Sequence, residues 1–387
     1  MSTLKVDGIR SNSASSDAIT LASDGTCTAN ITNRTNKNLI INGAFQVAQR
    51  GTTTVNQGYF TVDRFKTVNQ GVDEAPTRAQ GDVASGTTPY NLGFRKCFKI
   101  TNGNNTSGAE AGDYLTVQTI LEAQDIANSG WNYTSASSYI TLSFWIKSSV
   151  AQNFYGYLKT EDGTEQLYPY ETGSLSANTW TKITKTIPGN SNLTFDNNAN
   201  AGLEINITPF WGTDRTASGV TLNQWGALNA SARTPDNTTT WWTTNDATFE
   251  VTGFQLEVSD HATDFEHRSF AQELALCQRY CYVWESSVAY SNMGTGVQTD
   301  ANNVDITVPL PQIMRANPSF SSSGTFRIVG YDSGSQSAKD LSSFSMTRSH
   351  SRTPYLRGGI SGGTGGMVGE FGDSGANNAK AIFSAEL

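Results

Sequence analysis

The sequence predicts an all-β protein: a jelly-roll β-sandwich, then a short helix and a second small β-sandwich domain, with an extended N-terminal segment. Many short segments alternate apolar and polar residues, as strands with one buried face do. Clusters of Gly, Asn, Ser and Thr separate these segments and indicate turns. One stretch near residue 270 instead has the apolar spacing of a helix. The 387 residues, 37% hydrophobic and 16% charged, leave room for two or three domains.

Residues 1–37 form the predicted extended segment. They are polar, with short strand signals at residues 4–9, 18–21 and 27–31. Asp24 and Gly25 indicate a hairpin-type turn. A segment this thin cannot bury a hydrophobic core by itself. We therefore expect it to attach the chain to a partner or to other copies of the chain, and a disordered leader is the alternative.

Residues 38–268 form the predicted jelly roll. Ile140, Leu142, Phe144 and Ile146 show the clearest alternation with polar residues. Further strand candidates recur at residues 60–68, 94–100, 114–120, 154–159, 181–187, 203–209 and 249–258, the last with Gly253 as an expected bulge. Residues 120–127 fit one short helix. Many short strands joined by long turns are typical of a sandwich, here a jelly roll.

Residues 269–284 form the predicted hinge helix. Ser269 is a suitable N-cap, and Gln272 follows at the spacing of a capping box. One side of the helix is apolar at helical spacing and contains Phe270, Leu274, Cys277 and Cys281. This arrangement predicts a short helix that seals one β domain against the next.

Residues 285–387 form the second predicted β domain. Val304, Ile306 and Val308 alternate with polar residues, and residues 380–387 fit a last strand. The glycine-rich tract at residues 358–369 lacks the Gly-Lys-Ser/Thr sequence and the following helix of a phosphate-binding loop. A tract of this kind inside a domain is typical of an adaptable loop.

Charge and composition disfavour several classes of function. The net charge is −8 and the pI about 5.0, with no basic cluster along the sequence, so nucleic-acid binding is not expected. No run of about 18 apolar residues is present for membrane insertion. The first residues lack the apolar centre of a signal peptide, so we expect synthesis in a cytoplasm. The four cysteines are scattered and the histidines lack metal-binding spacing, which favours buried thiols over disulfides or zinc.

Four stretches resemble phage tail-fibre and receptor-binding virion proteins. GFQLEV…ATDFEHRSFAQELALCQRY, within residues 253–280, is similar to that family's "QLE…FE.R" strand and "EL..CQRY" helix. NLIINGAFQVAQRGT at residues 38–52 and GYFTVDRF at residues 58–65 resemble the opening of its carbohydrate-binding-module-like jelly roll. VPLPQIMRANPSF at residues 308–320 resembles a strand of its small C-terminal β domain. The stretches occur in the order that the family leads us to expect.

The resemblance implies a bacteriophage virion protein, a tail-fibre subunit made in the host bacterial cytoplasm. It implies a homotrimer that attaches to other tail or virion proteins through residues 1–37. It also implies non-catalytic binding of a host surface polysaccharide, with residues 285–387 at the distal tip. A purely structural spacer or decoration protein is the first alternative, and a polysaccharide depolymerase is the second.

Two sets of residues are candidates for glycan binding. Trp241 and Trp242 are adjacent, and adjacent strand residues point to opposite faces, so one ring should point outward and be able to stack on a sugar. The second set lies in the expected C-terminal loops and consists of Tyr331, His350, Tyr355 and Arg357. Because the chain is acidic, we expect affinity to come from aromatic and neutral polar groups, with a weak dependence on salt.

No catalytic residue and no cofactor is predicted. Asp162, Glu165 and Glu171 lie close in sequence, but nothing indicates the paired geometry that a glycosidase needs. His350 has no accompanying nucleophile signature. A structural Ca²⁺ is compatible with a carbohydrate-binding jelly roll, but the acidic spacing of a calcium loop is absent and we assign no metal ligands.

Overall fold

The computed structural model describes residues 5–13, 17–29, 35–332, 335–376 and 378–387. Its first element is a small antiparallel sheet made of β1 (Gly8–Ile9), β2 (Ile19–Leu21) and β3 (Cys27–Ala29), in that order. No side chain described between residues 5 and 27 is buried. The described part of this segment therefore buries no core of its own in the single chain.

Two antiparallel six-stranded sheets form the jelly roll, which confirms the predicted fold class. The strands are β4 (Thr53–Thr54), β5 (Lys66–Gln70), β6 (Thr77–Asp82), β7 (Lys96–Thr101), β8 (Tyr114–Glu122), β9 (Tyr139–Ser148), β10 (Asn153–Thr160), β11 (Gln166–Ser174), β12 (Thr181–Pro188), β13 (Ala201–Trp211), β14 (Gly226–Ala227) and β15 (Thr248–Glu257). Three short helices, α1 (Thr88–Asn91), α2 (Ala123–Ala127) and α3 (Thr240–Thr243), lie in the connections. Sheet I has the order β14-β11-β10-β13-β8-β5, and sheet II has the order β12-β9-β15-β7-β6-β4.

The core lies between the two sheets and is rich in aromatic rings. Phe144 of β9 stacks on Phe254 of β15 with ring centroids 4.5 Å apart, and Phe45 and Phe65 pack beside them. Gly253 has a φ of +67°, and the register of β15 against β9 shifts between Thr252 and Gln255. The predicted bulge is thereby confirmed, at a position where glycine adopts this backbone conformation without strain.

The hinge helix α4 (Phe270–Gln278) begins as predicted but ends earlier. The Ser269 hydroxyl accepts the Gln272 N–H, and the Gln272 side chain accepts the Ser269 N–H at 3.0 Å, which completes a capping box. The expected burial of Phe270 is wrong, since its side chain is 55% exposed. The helix instead buries Glu273, which accepts the Asn42 N–H and lies 3.6 Å from Arg268. These polar contacts, together with the buried Cys277 of the predicted apolar side, orient the helix.

The C-terminal domain is the predicted second β-sandwich. Its strands are β16 (Cys281–Glu285), β17 (Asn292–Gln298), β18 (Asn303–Thr307), β19 (Ser319–Ser323), β20 (Phe326–Asp332), β21 (Ser335–Asp340), β22 (Ser343–Arg348), β23 (Tyr355–Gly359), β24 (Val368–Asp373) and β25 (Lys380–Ser384). They form a three-stranded sheet, β16-β25-β19, and a seven-stranded sheet, β21-β20-β24-β17-β18-β23-β22. Residues 281–284, expected at the end of the helix, thus belong to this domain.

Buried charged groups join the two sandwiches at a surface that we call the domain junction, made by Arg64, Glu122, Arg279, Tyr280 and Glu386. Arg64 donates to the Glu386 carboxylate, and its guanidinium carbon lies 3.4 Å from the centre of the Tyr280 ring. Glu122 accepts hydrogen bonds from Arg279 at 2.6 and 2.7 Å and from the Tyr280 hydroxyl at 2.6 Å. The two domains are therefore held together through ion pairs of two carboxylates, Glu122 and Glu386, whose side chains are 0% and 6% exposed.

Candidate functional site

Trp241 and Trp242 do not provide an exposed platform, so the prediction that one ring points outward is wrong. Both lie in helix α3 and both are 0% exposed. The Trp241 indole donates to the Thr248 carbonyl at 3.1 Å, and the Trp242 indole donates to the Gly108 carbonyl at 2.8 Å. Adjacent residues in a helical turn are about 100° apart, not opposite as in a strand, so both rings can enter the core.

Tyr355 and Arg357 lie in strand β23 and not in a loop as predicted. On the paired strand β18, the Asp305 carboxylate accepts the Tyr355 hydroxyl at 2.6 Å and two Arg357 N–H groups at 2.6 and 2.8 Å. The hydrogen bonds from Arg357, with a smaller effect from Tyr355, hold the pKa of Asp305 below its usual value. The polar ends of both candidates are thus already bonded within the domain.

The other two C-terminal candidates do not join this pair in one site. His350 is exposed in the loop between β22 and β23, where its Nδ1 accepts the N–H groups of Arg352 and Thr353 at 3.2 and 3.4 Å. Tyr331 lies in β20, and its side chain is outside the part of the chain that the structure describes. The structure therefore brings together Tyr355 and Arg357 only.

A stronger candidate, which the sequence interpretation missed, lies on the outer side of sheet II. Phe144 and Ile146 point into the core, so Trp145 between them points outward. Its half-buried ring packs in one cluster with the half-buried Trp180 and with Phe94 and Phe265. We call this surface, made by Trp145, Trp180, Phe94, Phe265 and His267, the aromatic face.

A recess of about 250 Å³ opens on the aromatic face. Trp145, Phe94, Phe265 and His267 form its apolar walls, and its polar lining includes Ser143, Lys182, Thr263 and Asp264. The glycine bulge shapes it, since a Cβ at Gly253 would lie 2.7 Å from the Phe94 ring. The His267 imidazole is fixed by a 2.9 Å hydrogen bond from Nε2 to the Leu92 carbonyl. The walls are therefore held in place before any ligand arrives.

Lysines surround the aromatic rings on the same side of sheet II. The strand register places Lys182 beside Trp145, and it places Glu250 between Lys147 and Lys99. Lys147 is 2.8 Å from the Glu250 carboxylate and 5.1 Å from the centre of the Trp180 ring. Cys97 is also on this side but buried, and burial raises the pKa of its thiol to about 12. The thiol therefore stays protonated and unreactive at neutral pH.

Part of this face could have been found from the sequence. The alternation that assigns Phe144 and Ile146 to the core also assigns Trp145 and Lys147 to the outer surface, and an outward tryptophan is a signal in itself. Phe94 and Phe265 could not have been added, because they come from segments about 50 and 120 residues away along the chain. Only the folded sheet brings them beside Trp145.

The acidic residues weighed as glycosidase candidates are engaged elsewhere. Glu165 lies 3.1 Å from the Lys159 ammonium group, Glu171 accepts a 2.7 Å hydrogen bond from the Asn153 side chain, and Asp162 accepts the Asp196 N–H at 3.0 Å. Within residues 5–13, 17–29, 35–332, 335–376 and 378–387, no group of three or more His, Cys, Asp or Glu side chains could hold a metal ion. Among the same residues, no helix is both long and apolar enough to span a bilayer.

Comparisons with known proteins identify no family. No protein-family model matches the chain, and no curated protein matches it. Solved structures with some likeness include the enzymatically active domain of bacteriophage CBA120 tailspike protein 4, at 11% identity and a TM-score of 0.30, covering 57% of this chain and 21% of that one. The CBM22-1-GH10 modules of Clostridium thermocellum xylanase 10B align at 11% identity and a TM-score of 0.28. This alignment covers 61% of this chain and 30% of the xylanase modules.

A third solved structure with some likeness, a family 16 carbohydrate-binding module, aligns at 13% identity and a TM-score of 0.26, covering 57% of this chain and 99% of that one. This chain therefore matches only about a fifth of the tailspike domain's length and less than a third of the xylanase modules' length. At TM-scores this low, none of these likenesses bears on the activity or ligand of this protein.

Proposed function

We propose that this protein is a non-catalytic glycan-binding subunit of a phage tail fibre and that the aromatic face of its jelly roll holds the sugar. The observation that supports it most directly is Trp145, an outward-facing tryptophan in a recess with apolar walls and a polar rim. The C–H faces of a sugar ring pack well against such a ring. Ser143, Lys182 and Asp264 supply the few polar groups that orient a ligand in a largely apolar pocket.

The virion part of the proposal rests on the resemblance of four stretches to phage fibre proteins. On this reading residues 1–37 attach the subunit to other tail or virion proteins, and three copies form the fibre. The ligand is then a polysaccharide on the host surface. One ring stacked on one sugar binds weakly, and three linked copies raise the avidity by orders of magnitude where the receptors match their spacing.

Exchange of Trp145 for alanine tests the binding site. W145A should lower the affinity for a bound glycan about five- to thirtyfold, as expected for the loss of about 1–2 kcal/mol of ring stacking. Binding is measured on an array of bacterial surface polysaccharides, and the melting temperature is measured in parallel. F60A is the matched control, because Phe60 is an exposed aromatic residue that does not line the recess.

Three results would contradict this proposal in different ways. A wild-type protein that binds no glycan but still assembles into particles would be a purely structural component. Equal losses of glycan affinity in W145A and F60A would show that the aromatic face is not the binding site. Release of reducing ends from the bound polysaccharide would contradict the non-catalytic role and indicate a depolymerase.

A further inference from the structure

We infer that the glycan held on the aromatic face is anionic, which rests on the proposed function and specifies its ligand. Because the chain is acidic, the sequence led us to expect affinity from aromatic and neutral polar groups of the protein, with a weak dependence on salt. The fold brings Lys99, Lys147 and Lys182 to one side of sheet II, although they are up to 83 positions apart in sequence. This side of sheet II therefore carries a group of lysines although the net charge of the chain is −8.

The lysines are only partly neutralised within the protein. Glu250 lies between Lys99 and Lys147 in one row across the strands, and its carboxylate pairs with Lys147 at 2.8 Å. Lys99 and Lys182 form no ion pair with any residue that the structure describes. Lys99 lies opposite Ala79 and diagonal to Gly81 on β6, so small neighbours leave its side chain accessible from that edge. Two ammonium groups thus remain to bind negative charge on a ligand.

The position of these lysines relative to the rings fits an acidic sugar chain that crosses the strands. Lys182 is the direct cross-strand partner of Trp145, so a ring stacked on Trp145 would hold an anionic substituent near the Lys182 ammonium group. Lys99 lies on β7, three strands from the β12 strand of Lys182. Strands are about 4.8 Å apart, so the two lysines are about 14 Å apart across the sheet. This distance exceeds one sugar ring, which favours a polymer with repeated charges.

One acidic residue lines the recess and sets the direction of the ligand. Asp264 is exposed at the recess and would repel a negative group placed beside it. Its charge therefore favours the orientation in which anionic substituents face Lys182 and Lys99 and hydroxyl groups face Asp264. The remaining outward carboxylate on β15, Glu257, accepts hydrogen bonds from the Thr263 N–H and hydroxyl at 2.8 and 2.6 Å and is not available to a ligand.

The test compares acidic and neutral polymers with three variants of the full chain. The array includes polygalacturonate, its carboxyl-reduced neutral form, dextran sulfate and dextran beside bacterial surface polysaccharides. Glycans whose binding depends on Trp145 should be acidic, and the double variant K99Q/K182Q should lower their affinity about three- to thirtyfold. Raising NaCl from about 0.05 to about 0.5 M should lower wild-type affinity by a similar factor, because screening shortens the range of charge interactions.

The double variant K339Q/R352Q is the matched control, since it removes the same net charge from sites in the C-terminal domain, away from the aromatic face. It should bind like the wild type. Polygalacturonate and dextran sulfate distinguish carboxylate from sulfate as the preferred anion. Trp145-dependent binding of neutral glycans that is insensitive to salt and to K99Q/K182Q would overturn this inference and leave the proposed function standing. Binding of acidic glycans that persists in both W145A and K99Q/K182Q would also overturn the inference of an anionic ligand. If no glycan binds in a way that depends on Trp145, both this inference and the proposed function are overturned.

Discussion

Asp63 is a buried carboxylate beside the domain junction, and its protonation is linked to folding. It accepts the Gln49 N–H at 3.0 Å and the Gln49 side-chain amide at 2.5 Å, and that amide also donates to the Cys281 carbonyl in the C-terminal domain. Burial raises the pKa of Asp63 to about 6, against the opposing effects of the Gln49 hydrogen bonds and Arg50. The charged form of Asp63 is thus destabilised in the folded protein.

This raised pKa predicts a loss of stability with rising pH. The folded state binds the proton of Asp63 more tightly than the unfolded state, where the pKa is near 3.8. The contribution of Asp63 to stability is therefore complete below about pH 4 and is lost as the pH rises through about 6. The free energy of unfolding should fall by about 3 kcal/mol over this range. Denaturant unfolding of wild type and D63N between pH 4 and 7 measures it, because D63N cannot titrate. A difference in unfolding free energy between the two proteins that stays constant over this range would show that Asp63 has an ordinary pKa.

At the scale of elements, the described part of the N-terminal segment leaves its apolar side chains exposed. Its three strands contain two or three residues each, and Val6, Ile9 and Leu21 are 38–52% exposed. A small sheet is stable in water only when an apolar face is buried against something else. Three copies of this segment packed around one axis would bury these side chains against each other.

The full chain should therefore sediment as a homotrimer, and deletion of residues 1–34 should convert it to a monomer. The jelly roll should keep its melting temperature in the truncated protein, because its core excludes this segment. Analytical ultracentrifugation at micromolar concentration, with calorimetry of both proteins, provides the measurement. A monomeric full chain, or a truncated chain that stays trimeric, would exclude the N-terminal segment as the basis of assembly.

At the scale of the molecule, the stretches that resemble phage fibre proteins meet where the two sandwiches join. Arg64 comes from GYFTVDRF, and Arg279 and Tyr280 come from the CQRY helix end. Arg315 of the MRANP stretch donates to the Ala385 carbonyl at 2.8 Å and to the Ala199 carbonyl of the jelly roll at 2.9 Å. In this protein the stretches therefore connect the two domains, and the proposed ligand-binding surface lies elsewhere.

Loss of one charge at this junction should destabilise the whole molecule. The Glu386 side chain is 6% exposed and pairs with both Arg64 and Arg50. E386Q leaves two buried guanidinium groups without their carboxylate, which should cost about 3–5 kcal/mol in unfolding free energy. The matched control is E285Q, because Glu285 is an exposed partner of Lys380 at 3.5 Å and should cost less than about 1 kcal/mol. Similar small losses in both variants would mean that the junction contributes little to stability.

The sequence by itself determined the fold class and the order of the domains. Alternating residues such as Ile140 to Ile146 report directly on a half-buried strand, and Ser269 with Gln272 reports on a helix start, because both signals act between near neighbours in the chain. For the same reason the bulge at Gly253 was predictable from one residue. The buried side of the hinge helix was predictable at Cys277 but not at Glu273, which is held by Asn42 and Arg268, of which Asn42 is more than 230 positions away.

Only the tertiary structure decided which aromatic and charged groups reach solvent together. Trp241 and Trp242 are placed by a helical turn that their local sequence does not specify, and they fill the core. Trp145 gains its recess from Phe94 and Phe265, and Lys182 and Lys99 come to the same side of sheet II only through the pairing of β12, β9, β15 and β7. The physical reason is that a binding surface depends on contacts between distant segments, whereas strands and helix caps depend on contacts within a few residues.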